Sequence, residues 1–387
     1  MGRKVVFVAL LLLLATSLTC GEKPDEAGNR GKGATPPGLS ASEIGTGLRF
    51  KTFSYVDRQG TGMEAFRMLI PSEWQFEGGI KWVLDNPGMP ASAGFRVWNP
   101  EGTEEFEVFP TQPFFWTNNQ MTLSMFPIGS RYFGNEVRPL ARPVEALKQI
   151  VVPRFRQNVS DLRIVNEQSL PDLAKAVGAG THSQPGVSVS ADGGKIRIEY
   201  NQKGNTIEEE IYTVVQSMAF PIQTMAGVVT NINWYVDHIF SFKAEKGRLD
   251  VHSKTFQAIA YSFELSPKWF AKYNQVVEYL IQKQIQQIHS VGQLSKIISQ
   301  TSNEISEMSM KSFYERQAVN DKIADSFSQY IRGVDKYYNP IEEKNVELPA
   351  GYDNVWTNSL GEYVLSESPS FNPNIGSNLN WRKIEKR

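Results

Sequence analysis

The sequence predicts an α+β protein: an antiparallel β-sheet sandwich with flanking helices, followed by a long amphipathic helix and a C-terminal β-hairpin. Three observations carry that reading. Apolar residues alternate with polar ones in short runs bounded by Gly, Pro and Asn, the pattern of half-buried antiparallel strands. Residues 268–332 lack Pro and repeat apolar side chains three, four or seven apart, the spacing of one helical face. Near the C-terminus, Val355 and Trp356 precede the turn "TNSLG" and are answered by Tyr363 and Leu365, which reads as a hairpin.

The chain opens on Arg3 and Lys4, an apolar run from Val5 to Ala15, and small or hydroxylated residues up to Cys20. This is the layout of a secretory signal peptide, over residues 1–19. The run is shorter than the roughly 20 apolar residues that cross a bilayer. Cys20 is the only cysteine, so the exported chain forms no internal disulfide and no zinc–thiolate cluster. A signal peptide followed at once by Cys20 and Gly21 resembles the bacterial lipoprotein family, although Leu18 and Thr19 depart from its usual spacing. The resemblance implies that Cys20 is lipidated. It places the protein in the bacterial cell envelope, anchored to a membrane that faces the periplasm or the exterior. Each buried acyl methylene contributes about 0.8 kcal/mol, so two or three chains hold firmly.

Residues 20–45 carry Gly, Pro and charge with few apolar anchors and read as the lipidated Cys20 plus a tether. The full chain has 40 Lys and Arg against 41 Asp and Glu, a formal charge of −1. That balance gives no electrostatic case for nucleic acid.

Residues 46–267 form the predicted sandwich. Phe66, Met68 and Ile70 alternate before Pro71, and Ile80 and Trp82 follow Gly78 and Gly79, which suggests a first hairpin. Phe95 and Val97 face Phe106 and Val108 across the turn "NPEG", which suggests a second. Val144, Leu147 and Ile150 share a helical face until Pro153 interrupts it. A short strand and a helical turn follow, the turn ending by Gly178. Ile196, Ile198 and Tyr200 alternate, turn at "NQKGN", and return through Ile207, Ile211 and Val215. Trp234, Val236, His238, Phe240 and Phe242 fall on one face of a strand. Phe256, Ile259 and Phe263 line a closing helix. This order, with "LIPSEW" early and "FQAIAYSF" late, resembles the PsbP-like α/β sandwich. That likeness implies non-catalytic binding or assembly roles and assigns no site.

Residues 268–335 are the long helix or a helical hairpin, with a bend near Gly292 or around Thr301 to Asn303, offering self-association by its apolar stripe. Residues 336–387 are the tail. Its Trp356, Asn358, Gly361, Glu362 and Tyr363 resemble a module in uncharacterised bacterial exported proteins, which implies no activity.

Four histidines lack metal-binding spacing, and no motif calls for a metal or another cofactor. Asp237, His238, Asp250 and His252, with Ser253 nearby, would make an acid–base site if their elements adjoin; core and capping roles are the simpler reading, so a hydrolase ranks last. "EEE" at 208–210 reads as a solvated strand edge. In "PTQPFFWTNNQM", Phe114, Phe115 and Trp116 lie beside Asn118, Asn119 and Gln120. Flat apolar faces with amide donors suit sugars or peptides, unless the long helix or the tail hairpin covers the aromatics. The expectation is a non-enzymatic, membrane-anchored lipoprotein that binds an envelope protein or a glycan, the glycan reading resting on the aromatic–amide stretch.

Overall fold

The computed structural model describes residues 47–82, 86, 89–176, 186–225, 227–283, 290–300, 334–375 and 377–387. The signal segment, Cys20, the tether, His182, Gly178, His289 and the predicted helix beyond residue 300 lie outside these residues. The described protein is mostly β, with curled antiparallel sheets and few helices.

In chain order the strands are β1 (Leu48–Val56), β2 (Glu64–Pro71), β3 (Gln75–Trp82), β4 (Ala91–Trp98), β5 (Glu105–Val108), β6 (Gln112–Thr117), β7 (Arg131–Tyr132), β8 (Asn135–Val137) and β9 (Ser160–Ser169). Three long strands follow: β10 (Ser188–Gln202), β11 (Asn205–Thr224) and β12 (Gly227–Glu245). The rest are β13 (Glu264–Leu265), β14 (Val334–Asn339), β15 (Lys344–Pro349), β16 (Asn354–Thr357), β17 (Glu362–Ser366) and β18 (Arg382–Ile384). One sheet runs β13-β2-β1-β17-β16-β18. The larger runs β3-β4-β5-β12-β11-β10-β9, with β6 also on β12 and β8 and β7 beyond it. β14 and β15 pair with each other. Among the named strands only β6 and β8 run parallel.

Several expectations hold. β4 and β5 pair with Phe95 opposite Val108 and Val97 opposite Phe106. Ile196 faces Ile211 and Tyr200 faces Ile207 in the β10–β11 hairpin, and Val355 faces Leu365 in the tail. The tail hairpin joins β1, with Phe50 opposite Tyr363. The first predicted hairpin does not form: β2 pairs with β1 and β13, whereas β3 pairs with β4 in the other sheet. Gly78 and Gly79 allow β3 to cross, since a Cβ on Gly79 would lie 2.1 Å from the Tyr55 ring.

Helix α1 spans Gln120–Met125. A helical run at 143–155, here α2, passes through Pro153 rather than stopping there. A π-turn over Leu147–Val151 precedes the proline, and Val152 N–H donates to Leu147 O, which absorbs the ring's disruption of the usual ladder. α3 is Pro171–Ala176 and α4 is Ser253–Tyr261. Of the two expectations for this region, one long helix or a helical hairpin, the long helix does not form: the described residues hold α5 (Pro267–Gln282) and α6 (Val291–Gln300). Ser290 lies outside both, and its Oγ accepts from Gln293 N at 3.1 Å, a cap that starts α6 afresh. Val276 and Leu280 then pack on Leu294, Ile297 and Ile298, while Val277 joins the core with β2, β4 and β5.

The predicted common face of β12 is also corrected. Trp234, Val236 and Ile239 join a core with α2, whereas Phe240 and Ala244 join a second core with α4, α5, β2, β4 and β5. The change of face occurs at His238–Ile239, where these two residues oppose Thr213 on β11 and His238 has φ of 48°. A bulge of this kind reverses the alternation beyond it. A third core joins Phe50, Leu69, Tyr337, Leu348, Tyr363 and Leu365 around the tail.

β1, β3 and α5 are tied at Asp57, whose fully buried carboxylate accepts from Trp269 Nε1 at 2.9 Å, Trp82 Nε1 at 3.2 Å and the Gly60 and Thr61 amides. Asp57→Ala leaves two indole donors without this acceptor, and is expected to cost about 3 kcal/mol. Urea unfolding followed by tryptophan fluorescence checks it, with Asp57→Asn, which keeps one acceptor oxygen, losing less.

Candidate functional site

The predicted histidine–carboxylate group does not assemble. Asp250 is held by Arg197, with Nη2 to Oδ1 at 2.8 Å. His252 precedes α4 and sits 3.2 Å from Glu104. Ser253 Oγ donates to Asp250 O at 2.7 Å. His238 lies apart from them, 4% exposed, with Nδ1 3.3 Å from Asp237 Oδ2 in a poor hydrogen-bond geometry. Asp237 itself is committed to structure: Oδ1 accepts from Thr111 Oγ1 at 2.6 Å and Oδ2 from Gln216 Nε2 at 3.1 Å. Among the described residues no group of three or more His, Cys, Asp or Glu is arranged for a metal.

In the "EEE" run Glu209 and Glu210 are buried and Glu208 is half-buried, inside the larger sheet, which corrects the solvated-edge reading. β11 is flanked by β10 and β12, so its carboxylates require paired cations. On one face, Arg156 donates to both oxygens of Glu209 at 2.8 and 2.5 Å and also reaches Glu107 at 2.7 Å. Tyr200 Oη donates to Glu209 at 2.8 Å. Burial works to raise the Glu209 carboxyl, but Arg156 outweighs it and holds the group below the ordinary carboxylate range. On the other face, Arg197 and Lys195 pair with Glu210 and Tyr212 Oη donates to it. These groups brace a fold and are not presented to a substrate.

The aromatic–amide stretch is likewise divided. Phe114 is buried and stacks on Trp234 at 4.3 Å; Phe115 is buried and stacks on Tyr132 at 4.3 Å. Their partners are thus β12 and the β7–β8 turn, in place of the expected long helix or tail hairpin. Trp116 is half-buried against the α2 core. Asn118 donates to Val228 O and accepts from Thr230 N, which fastens β6 to β12. Asn119 caps α1 by accepting from Met121 and Thr122 amides. Gln120 is exposed at the start of α1.

What the structure does bring together is an uncharged, apolar end of the larger sheet. No Asp, Glu, Lys, Arg or His occurs from Ile211 to Val236, nor from Pro110 to Ser130. These two runs supply the β11–β12 turn and the β6–α1 segment, and Asn118 holds them side by side. Met225 at the turn is 110% exposed, Met121 73% and Met125 64%. Sequence reasoning missed this site because each apolar residue there reads as core. The signal was present as two long charge-free runs.

No family model matches the chain, and no curated protein matches it.

Two outcomes test the bracing roles. Arg156→Met strands Glu209 and Glu107 in the interior and is expected to lower stability by about 3 to 5 kcal/mol in urea unfolding. Glu104 gives an acid-side signature. Burial raises its carboxyl pKa, but hydrogen bonds from His252, its own backbone amide and Asn99 outweigh this and hold it at about 2. A depressed folded value means that its contribution is complete above the ordinary value of 4.5 and is lost as pH falls through about 2. Glu104→Gln is expected to flatten the loss of stability across that window, read from denaturant midpoints at each pH.

Proposed function

We propose that the protein is a non-enzymatic envelope lipoprotein, tethered through Cys20, whose β-rich body holds a contact surface at a membrane. The observation that carries this reading is the exposed, charge-free end of the larger sheet. Its exposed apolar side chains sit on a scaffold braced by buried ion pairs, and such patches mark interaction sites. Supporting it, Asp237, Glu209, Glu210 and Glu104 are all engaged by neighbouring side chains. An acid–base catalyst needs a proton-transfer group within reach of a substrate, and these groups face other protein atoms. The sequence likeness to PsbP-like sandwiches favours the same binding or assembly class. The glycan reading weakens because Phe114, Phe115 and Asn119 are spent on packing and capping.

Growth with radioactive palmitate is expected to label the wild-type chain in membranes and to leave Cys20→Ser unlabelled. An unlabelled wild type would contradict the anchor.

A further inference from the structure

The three longest strands carry most of their charge at one end, Asp192 on β10 and Asp237 at the bulge being the charges nearest the other. Lys195, Arg197, Glu208 to Glu210 and Lys243 crowd the end at which β10 finishes and β11 begins. The opposite end belongs to the charge-free runs. There the β11–β12 ribbon outlasts its neighbours: β10 starts opposite Ala219, and β6 ends opposite Asn231. Among the described residues no named strand flanks the rows from Pro221–Thr230 to Thr224–Gly227, although Asn118 bonds to Val228 and Thr230 beside them. Four rows of pairs at about 3.4 Å each project the turn by roughly 14 Å.

Exposed apolar side chains lie on both faces of this ribbon. Ile222, paired with Val229, is 50% exposed. Val228, paired with Gln223, points to the opposite face and is 54% exposed. Met225 stands at the tip. Beside the ribbon, α1 has no buried residue and shows Met121 and Met125 on one side, four residues apart, with Ile128 after them.

From this we infer that the β11–β12 tip and α1 enter the interfacial layer of a lipid bilayer. The inference rests on reading this end as the contact surface and adds the identity of its partner. A protein groove that accepts a sheet edge or one face would leave the other face wet. A bilayer surrounds a projecting ribbon and takes apolar groups from both sides. The ribbon's backbone groups are already paired across the two strands, so the desolvation penalty that bars open edges from lipid falls mainly on the outer row of each strand. The polar residues that would enter, such as Gln223 and Thr224, are uncharged, and burying them costs far less than burying an ion. A projection of roughly 14 Å is enough to pass the headgroups and reach the interfacial depth of about 5 to 10 Å. With no Lys or Arg among the described residues of the β11–β12 tip or on α1, binding depends on apolar contact and little on lipid charge.

Because Cys20 is the only cysteine, a single reporter thiol is easily placed. The full chain carrying Cys20→Ser and Met225→Cys is labelled with an environment-sensitive NBD probe. A matched chain carries the probe through Asn205→Cys, at the opposite, charged end. Both are added to phosphatidylcholine vesicles with and without spin-labelled lipid. The tip probe is expected to shift to shorter wavelength and be quenched about twofold by the spin label, with no change at position 205. The same quenching is expected in anionic vesicles and at high salt. Ile222→Asp with Val228→Asp, both exposed positions, is expected to abolish quenching while circular dichroism is unchanged. A tip probe that stays water-like on vesicle-bound protein overturns the inference. So does a tip that is shielded only when envelope proteins are added. Palmitate labelling at Cys20 is read on a different chain, so loss of the anchor and failure of tip insertion are distinguishable.

Discussion

The larger sheet depends on one buried carboxylate. At Asp237 three neighbouring strands deform at the same level: β12 bulges, β11 receives two residues opposite Thr213, and β5 gives way to β6 across Pro110 and Thr111. Asp237 joins them by accepting from the Thr111 hydroxyl, the Gln216 amide and the His238 N–H, and Thr213 Oγ1 donates to its backbone oxygen. The left-handed backbone of His238 costs on the order of 1 to 2 kcal/mol, and these bonds hold it in place. Without the bulge, Trp234 and Phe240 would share a face. With it, one strand supplies two cores, one closed by α2 and the other by α4 and α5.

This division sets where charge and apolar surface fall. Above the bulge, towards the β10–β11 turn, the sheet is laced by Arg156, Glu209, Arg197 and Glu210. Below it no Asp, Glu, Lys, Arg or His occurs on β11 or β12 as far as the turn. A braced, charged half and an uncharged, projecting half are the arrangement expected of a rigid body that presents one end to an apolar partner. That polarity links the fold to the proposed role at a membrane, alongside the tether expected from Cys20.

Local patterns in the sequence were sufficient for the hairpins at Phe95–Val108, Ile196–Val215 and Val355–Leu365, and for the helix around Phe256 and Ile259. In each, the residues that specify the element are close in sequence and obey its period. What escaped was non-local. Nothing in "WYVDHIF" announces a bulge, because its partners Thr111 and Gln216 are distant in the chain. Pro153 reads as a stop, yet a π-turn just before it lets the helix continue. "EEE" reads as solvated until Arg156, Arg197 and Lys195 arrive from other elements. The aromatic–amide stretch is locally persuasive, but Phe114 and Phe115 find Trp234 and Tyr132. The charge-free runs were legible, though only the pairing of β11 with β12 and the clasp at Asn118 show that they meet.

Hydrogen–deuterium exchange on Asp237→Leu tests the keystone role most directly, because it reads each strand separately. If Asp237 couples the three strands, amides in 105–117, 211–216 and 234–242 lose protection together, while those of the tail hairpin keep theirs. Loss confined to residues 236–239, with β5, β6 and β11 unchanged, would contradict the account.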